Sequence, residues 1–137
     1  MVIRRPDGAV LVTKRPDDPE DPLAGVWGFP AVTCAPGEDD RSAAERVGPA
    51  KLGVTLAIGT KLGDREQVRG QYLMRLADYE AVITDGTPTV PQADDAVTQY
   101  VECAFTDDPL VLVPAAQRGS LCTQIFLDAI GLDWHIG

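Results

Sequence analysis

The residues able to do chemistry cluster between Arg15 and Gly53 of a 137-residue chain. Glu38 and Glu45 are carboxylates at the start and in the body of one short segment, with Arg46 next and Lys51 five residues on. Carboxylates there suit a hard divalent cation or a general base. Arg46 and Lys51 suit phosphate oxygens, the first as a planar fork and the second as a point charge. Arg15, Arg69 and Arg75 lie on or beside apolar runs and could face an anionic ligand, although each taken singly also suits a solvated surface. Asp94, Asp95 and Glu102 are later acids for which loop and strand acidity is the plain explanation. Nucleophilic catalysis has little to work with, because His135 is the only histidine and sits near the C-terminus.

Those side chains need elements to hold them. Asp39 or Asp40 is a good N-cap for a helix from about Arg41 to Leu52, with Gly53 as its stop. Ala43, Val47, Ala50 and Val54 recur at helical spacing, so one face is expected to be buried. Gly48-Pro49 interrupts that pattern. A proline inside a helix removes a hydrogen bond and costs about 3 kcal/mol, so the helix is expected to be short, kinked or broken near Gly48. Upstream, Val2 to Arg5 and Ala9 to Lys14 read as strands joined by an Asp7-Gly8 turn. Arg15 to Pro22 reads as a loop and Val26 to Ala35 as an irregular strand. Val54 to Val68, Gln71 to Thr84 and Val97 to Phe105 read as further strands. The chain then passes Pro109 and Pro114 into a helix starting near Ser120 and ended by Gly131. Strands, a helix, more strands and a last helix make an α+β arrangement in one domain spanning 1–137.

Trp27-Gly28-Phe29-Pro30, Gly37-Glu38, Arg46 and Gly53-Val54, in this order and spacing, resemble the Nudix box and its approach. That pattern is G-x5-E-x7-R-E-U-x-E-E-x-G-U, with U apolar. The chain is identified as similar to the Nudix (MutT-like) hydrolases, with a degenerate box. The resemblance implies an α/β/α sandwich with a mixed β-sheet. It also implies a Mg²⁺- or Mn²⁺-dependent attack of water on a diphosphate. Glu38 falls on the first glutamate and Arg46 on the arginine, which in the family ties the box loop to its helix. Val32 stands for the opening glycine, Val47 for the glutamate after the arginine, and Ala50 and Lys51 for the paired glutamates.

Positions 47, 50 and 51 would share one face of a regular helix. An isopropyl group, a methyl group and an ammonium there replace three carboxylates. A like charge at about 4 Å costs a cation on the order of 4 kcal/mol at an effective dielectric near 20. Three functions stay open. The first in rank is a silent Nudix scaffold binding a nucleotide or other small phosphorylated ligand through Arg15, Lys51 and Arg69. The second is a hydrolase with a reduced site assembled from Glu38, Glu45 and a later acid such as Asp95 or Glu102, with Glu38, Glu45 and Arg46 as its catalytic residues and Glu38 its metal ligand. The third is a Nudix-like interaction module.

Composition narrows the field. The net charge of −9 argues against nucleic acid or an anionic membrane as partner. No apolar run approaches the roughly 20 residues that cross a bilayer. Cys34, Cys103 and Cys122 are odd in number and widely spaced, which fits buried free thiols in a reducing cytoplasm rather than a disulfide framework. The oligomeric state is open, a homodimer among the options.

Overall fold

A computed structural model describes residues 1–91 and 100–135. Its first turn forms where Asp7-Gly8 requires it. Gly8 adopts φ +89°, Asp7 accepts the Ala9 N–H at 3.0 Å, and Gly8 N–H donates to Arg5 at 2.9 Å. The strands it joins, β1 (Val2–Ile3) and β2 (Val10–Lys14), nevertheless serve different sheets. A lone bridge between Arg4 and Val10 connects them.

The first sheet is mixed, in the order β1-β5-β4: β1 runs parallel to β5 (Tyr72–Asp85), which pairs antiparallel with β4 (Thr55–Arg69). The second is antiparallel, in the order β3-β2-β6, with β3 at Trp27–Gly28 and β6 at Glu102–Thr106. The mixed sheet expected from the sequence is therefore present but divided in two. The expected strand from Val26 to Ala35 shrinks to Trp27–Gly28, because Pro30 cannot donate to a ladder. Residues 97–99 of the expected last strand lie outside the described residues.

β2 explains the sandwich. Val10 and Val12 enter one core with Phe29, Leu112, Phe126 and Leu127, while Leu11 enters the other with Ala44, Val47, Leu52 and Val54. Alternate side chains of a strand leave on opposite faces, so five residues can serve both layers. The first core is covered by α3 (Leu121–Ala129) and α2 (Val113–Gln117), the second by α1 (Asp40–Val47). α2 and the 3₁₀ turn before it (Pro109–Leu112) were not expected. Pro109 and Pro114 each sit in the first turn of their element, where a missing N–H costs nothing. Phe29 is buried in the first core, and Trp27, half-buried, packs against it. The thiols diverge from expectation: only Cys122 is buried, Cys103 is half-buried and Cys34 is exposed. No described helix is long and apolar enough to cross a membrane.

Candidate functional site

Helix α1 begins at an N-cap, Asp39, whose side chain accepts the Ser42 N–H at 2.7 Å. That cap leaves Glu38 just outside the helix and Arg46 two turns along it. Arg46 closes on Glu38 as a two-pronged fork, Nε to Oε2 at 2.8 Å and Nη2 to Oε1 at 2.7 Å. Nη2 also donates to the Thr33 carbonyl at 3.0 Å, and Ala35 N–H donates to Glu38 Oε1 at 2.9 Å. The turn is made possible by Gly37 at φ +78°. These bonds hold the Glu38 carboxyl far below its usual range, at about 2, chiefly through the Arg46 hydrogen bonds and then the Ala35 N–H. Both Glu38 oxygens are committed, so this pair is a clasp between loop and helix rather than an open ligand.

The following residues change both identity and winding. α1 stops at Val47, and Gly48–Leu52 continue as a π-helical turn. Pro49 has no N–H for the Glu45 carbonyl, and in an α-helix its ring would collide with that carbonyl. A wider turn relieves both problems. It ends at Gly53, φ +68°, whose N–H returns to the Gly48 carbonyl, and Val54 N–H reaches the same oxygen at 3.2 Å. The α-helix is thus cut short at Gly48, as expected, and the chain continues to Leu52 as a wider turn. Val47 is only 2% exposed and packs in the core, whereas Ala50 is exposed and Lys51 half-buried. The three positions do not present the shared open face that a regular helix would give.

Among the described residues, this stretch offers a divalent cation no fitting set of donors. Glu38 is held by Arg46, residues 47 and 50 offer hydrocarbon, and Lys51 offers positive charge. Among the described residues no cluster of three or more His, Cys, Asp or Glu is arranged to hold a metal. Burial pushes the Lys51 ammonium below its usual range, and the charge of Arg15 pushes it further.

Arg15 also lines a pocket of about 200 Å³ between the two sheets and the α2–α3 junction. Its walls are mostly apolar, with Leu23, Val26, Phe29, Met74 and Leu76 among them. Its polar groups include Thr13, Arg15, Asp21, Arg69 and Tyr100. Arg15 Nη1 lies 3.3 Å from both Asp21 oxygens. Arg69 is held by neutral acceptors, Gln67 Oε1 at 2.9 Å and the Gly119 carbonyl at 3.0 Å. Tyr100 is buried and accepts the Ala31 N–H at 3.0 Å, and burial raises its phenol above the usual range.

The structure thus joins Glu38 to Arg46 and places Arg15 and Arg69 on one pocket. Glu45 is exposed and outside the clasp. Arg75 pairs with Glu66 at 3.0 Å on an exposed strand face and does not line the pocket. Glu102 is exposed on β6, and Asp94 and Asp95 lie outside the described residues. Sequence reasoning missed Asp21 and Tyr100. Asp21 sits in a loop rich in acids that gave no spacing signal, and the Tyr100 partner is 69 residues away.

No family model matches the sequence, and no curated protein matches it. Solved structures do. The chain is similar to a NUDIX hydrolase from Nitrosomonas europaea, at 17% identity and a TM-score of 0.70 over 95% of this chain and 84% of that one. It is similar to the E. coli ORF135 protein, at 22% identity and a TM-score of 0.65 over 93% and 84% of the two chains. It is also similar to a MutT NUDIX hydrolase from Burkholderia pseudomallei, at 26% identity and a TM-score of 0.58 over 76% of each.

Proposed function

We propose that this chain, a member of the Nudix fold family, binds a nucleoside diphosphate derivative or a related phosphate ester without a metal and with little or no hydrolysis. The observation that carries this reading is that Val47, Ala50 and Lys51 stand where the resemblance places three carboxylates, with Val47 in the core, while Arg15 and Arg69 line one pocket. Positive charge stands where the family would place a cation. Phosphate oxygens can be met directly by an ammonium and a guanidinium, and the apolar pocket that Arg15 lines suits the organic part of the ligand. Arg69 adds a further cation on that pocket's wall.

The test is calorimetric titration of ADP and ADP-ribose with EDTA, and again with Mn²⁺, alongside an assay of phosphate release. Binding is expected with EDTA present and should weaken at least tenfold on Lys51→Ala. Metal-dependent turnover at ordinary enzyme rates, lost on Glu38→Gln, would overturn the reading in favour of a hydrolase.

A further inference from the structure

The distal half of the β4–β5 hairpin uses its two faces differently. On one face Met74 and Leu76 line the pocket, and Arg65 donates to Gln124 and Asp128 of α3 at 2.9 and 2.6 Å. Alternate residues point the other way. There Val68 stands opposite Leu73, Glu66 opposite Arg75 and Asp64 opposite Ala77. Val68 is 73% exposed and Leu73 51%, although both are apolar. Below them Glu66 accepts from Arg75 Nε at 3.0 Å, and Asp64 holds Lys61 at 2.8 Å. The strip is therefore apolar at its tip and balanced in charge beneath, two cations against two carboxylates. A net charge of −9 makes copies of the chain repel one another, and a balanced strip is where that repulsion is least.

We propose that this strip is the contact of a weak homodimer, in which a second copy of the chain lies on it about a two-fold axis running along the hairpin. Such an axis, between β4 and β5, sets each copy's β4 over the other copy's β5. Glu66 then meets Arg75 of the second copy, and Val68 meets its Leu73. Each Glu66 keeps its own Arg75 as well, so four charges of alternating sign form a ring and no existing pair has to break. A two-fold axis across the strands would instead set Glu66 over Glu66 and Arg75 over Arg75, and like charges in contact oppose association. The order of the charges thus selects the axis as well as the occupant. Two ribbons stacked in this way are aligned sheets face to face. The strip offers few residues against the roughly 20–30 per side of a standard interface, which makes the dimer weak. The pocket lies on the other face of the hairpin, so the contact leaves it uncovered and holds whether or not the pocket binds an anion.

Sedimentation equilibrium from about 10 µM to about 1 mM reads the association. The average mass of the wild-type protein is expected to rise with concentration from monomer toward dimer. Glu66→Arg and Arg75→Glu should each weaken the dimer by about tenfold or more, because each sets like charges against one another. Glu66→Arg also makes the chain less negative, so its loss of association cannot come from bulk repulsion. An equimolar mixture of the two variants should regain the dimer, since the cationic pair of one then meets the carboxylate pair of the other. A variant that had merely misfolded would not be rescued by mixing. Leu73→Ser, which leaves every charge in place, should weaken the wild-type dimer by about threefold or more. A wild-type protein that stays monomeric at about 1 mM overturns the proposal. So does a dimer that either charge variant leaves intact, or one that the mixture does not restore.

Discussion

From Thr33 to Arg46 the segment that resembles the Nudix box is closed by charged hydrogen bonds, whereas from Val47 to Leu52 it changes winding and turns to packing. In the first half Glu38, Arg46, the Thr33 carbonyl and the Ala35 N–H form one closed network. In the second half the winding changes to a π turn, Val47 enters the core and Lys51 comes under the charge of Arg15. A sequence motif that reads as one unit is here two devices. The clasp ties a loop to its helix, while Val47 and Leu52 of the following turn are given to the core.

The largest expected effect comes from trying to restore the second half. Val47→Glu would place a carboxylate in a site 2% exposed among Ile3, Leu11, Ala44 and Leu52. Burying an unpaired charge should lower unfolding stability by about 3 kcal/mol or more. Ala50→Glu, at an exposed position, should stay within about 0.5 kcal/mol. Urea unfolding with and without Mn²⁺ measures both. A Val47→Glu protein as stable as wild type and further stabilised by Mn²⁺ would show that the two halves are not distinct.

Gly48→Ala should have a smaller effect of the same sign. A Cβ there would lie 2.6 Å from the Val54 carbonyl oxygen and 2.8 Å from Leu56 Cγ. The backbone at φ −58° accepts alanine, so helix propensity alone would favour the change by up to about 1 kcal/mol. Overpacking against a backbone atom costs about 1–3 kcal/mol and should win. Thermal unfolding decides, and a stabilised variant would mean that the π turn does not approach β4 this closely.

The long hairpin was legible almost to the residue. Its expected strands, Val54 to Val68 and Gln71 to Thr84, differ by one position from β4 and β5, because apolar runs flank the Gly70 turn. The α3 start at Ser120 was equally plain. The Gly48-Pro49 disturbance was visible, but a linear pattern cannot tell a break from a wider turn. That choice depends on Val47, Leu52 and Val54 all reaching one core. The binding site was the least legible part. Arg15 and Arg69 could be named as cations, but their sharing of a pocket, with Asp21 on its wall, depends on how loop, sheet and helix junction meet.

The smallest effect tests the retained half. The Glu38 carboxyl titrates near 2 in the fold against an ordinary 4.5. A folded value below the unfolded one contributes stability that is fully present above pH 4.5 and is lost as pH falls toward 2. Wild type and Glu38→Gln should therefore differ most between pH 5 and 7, converge through that window, and be indistinguishable near its lower end. Added salt should narrow the gap at neutral pH, because Arg46 is 45% exposed and its attraction for Glu38 is screened. Hydrogen exchange at Ala35, whose amide Glu38 accepts, should quicken in Glu38→Gln over the same pH range. A gap independent of pH would mean that the clasp acts through neutral hydrogen bonds. The first half of the motif would then be as indifferent to charge as the core-packed second half.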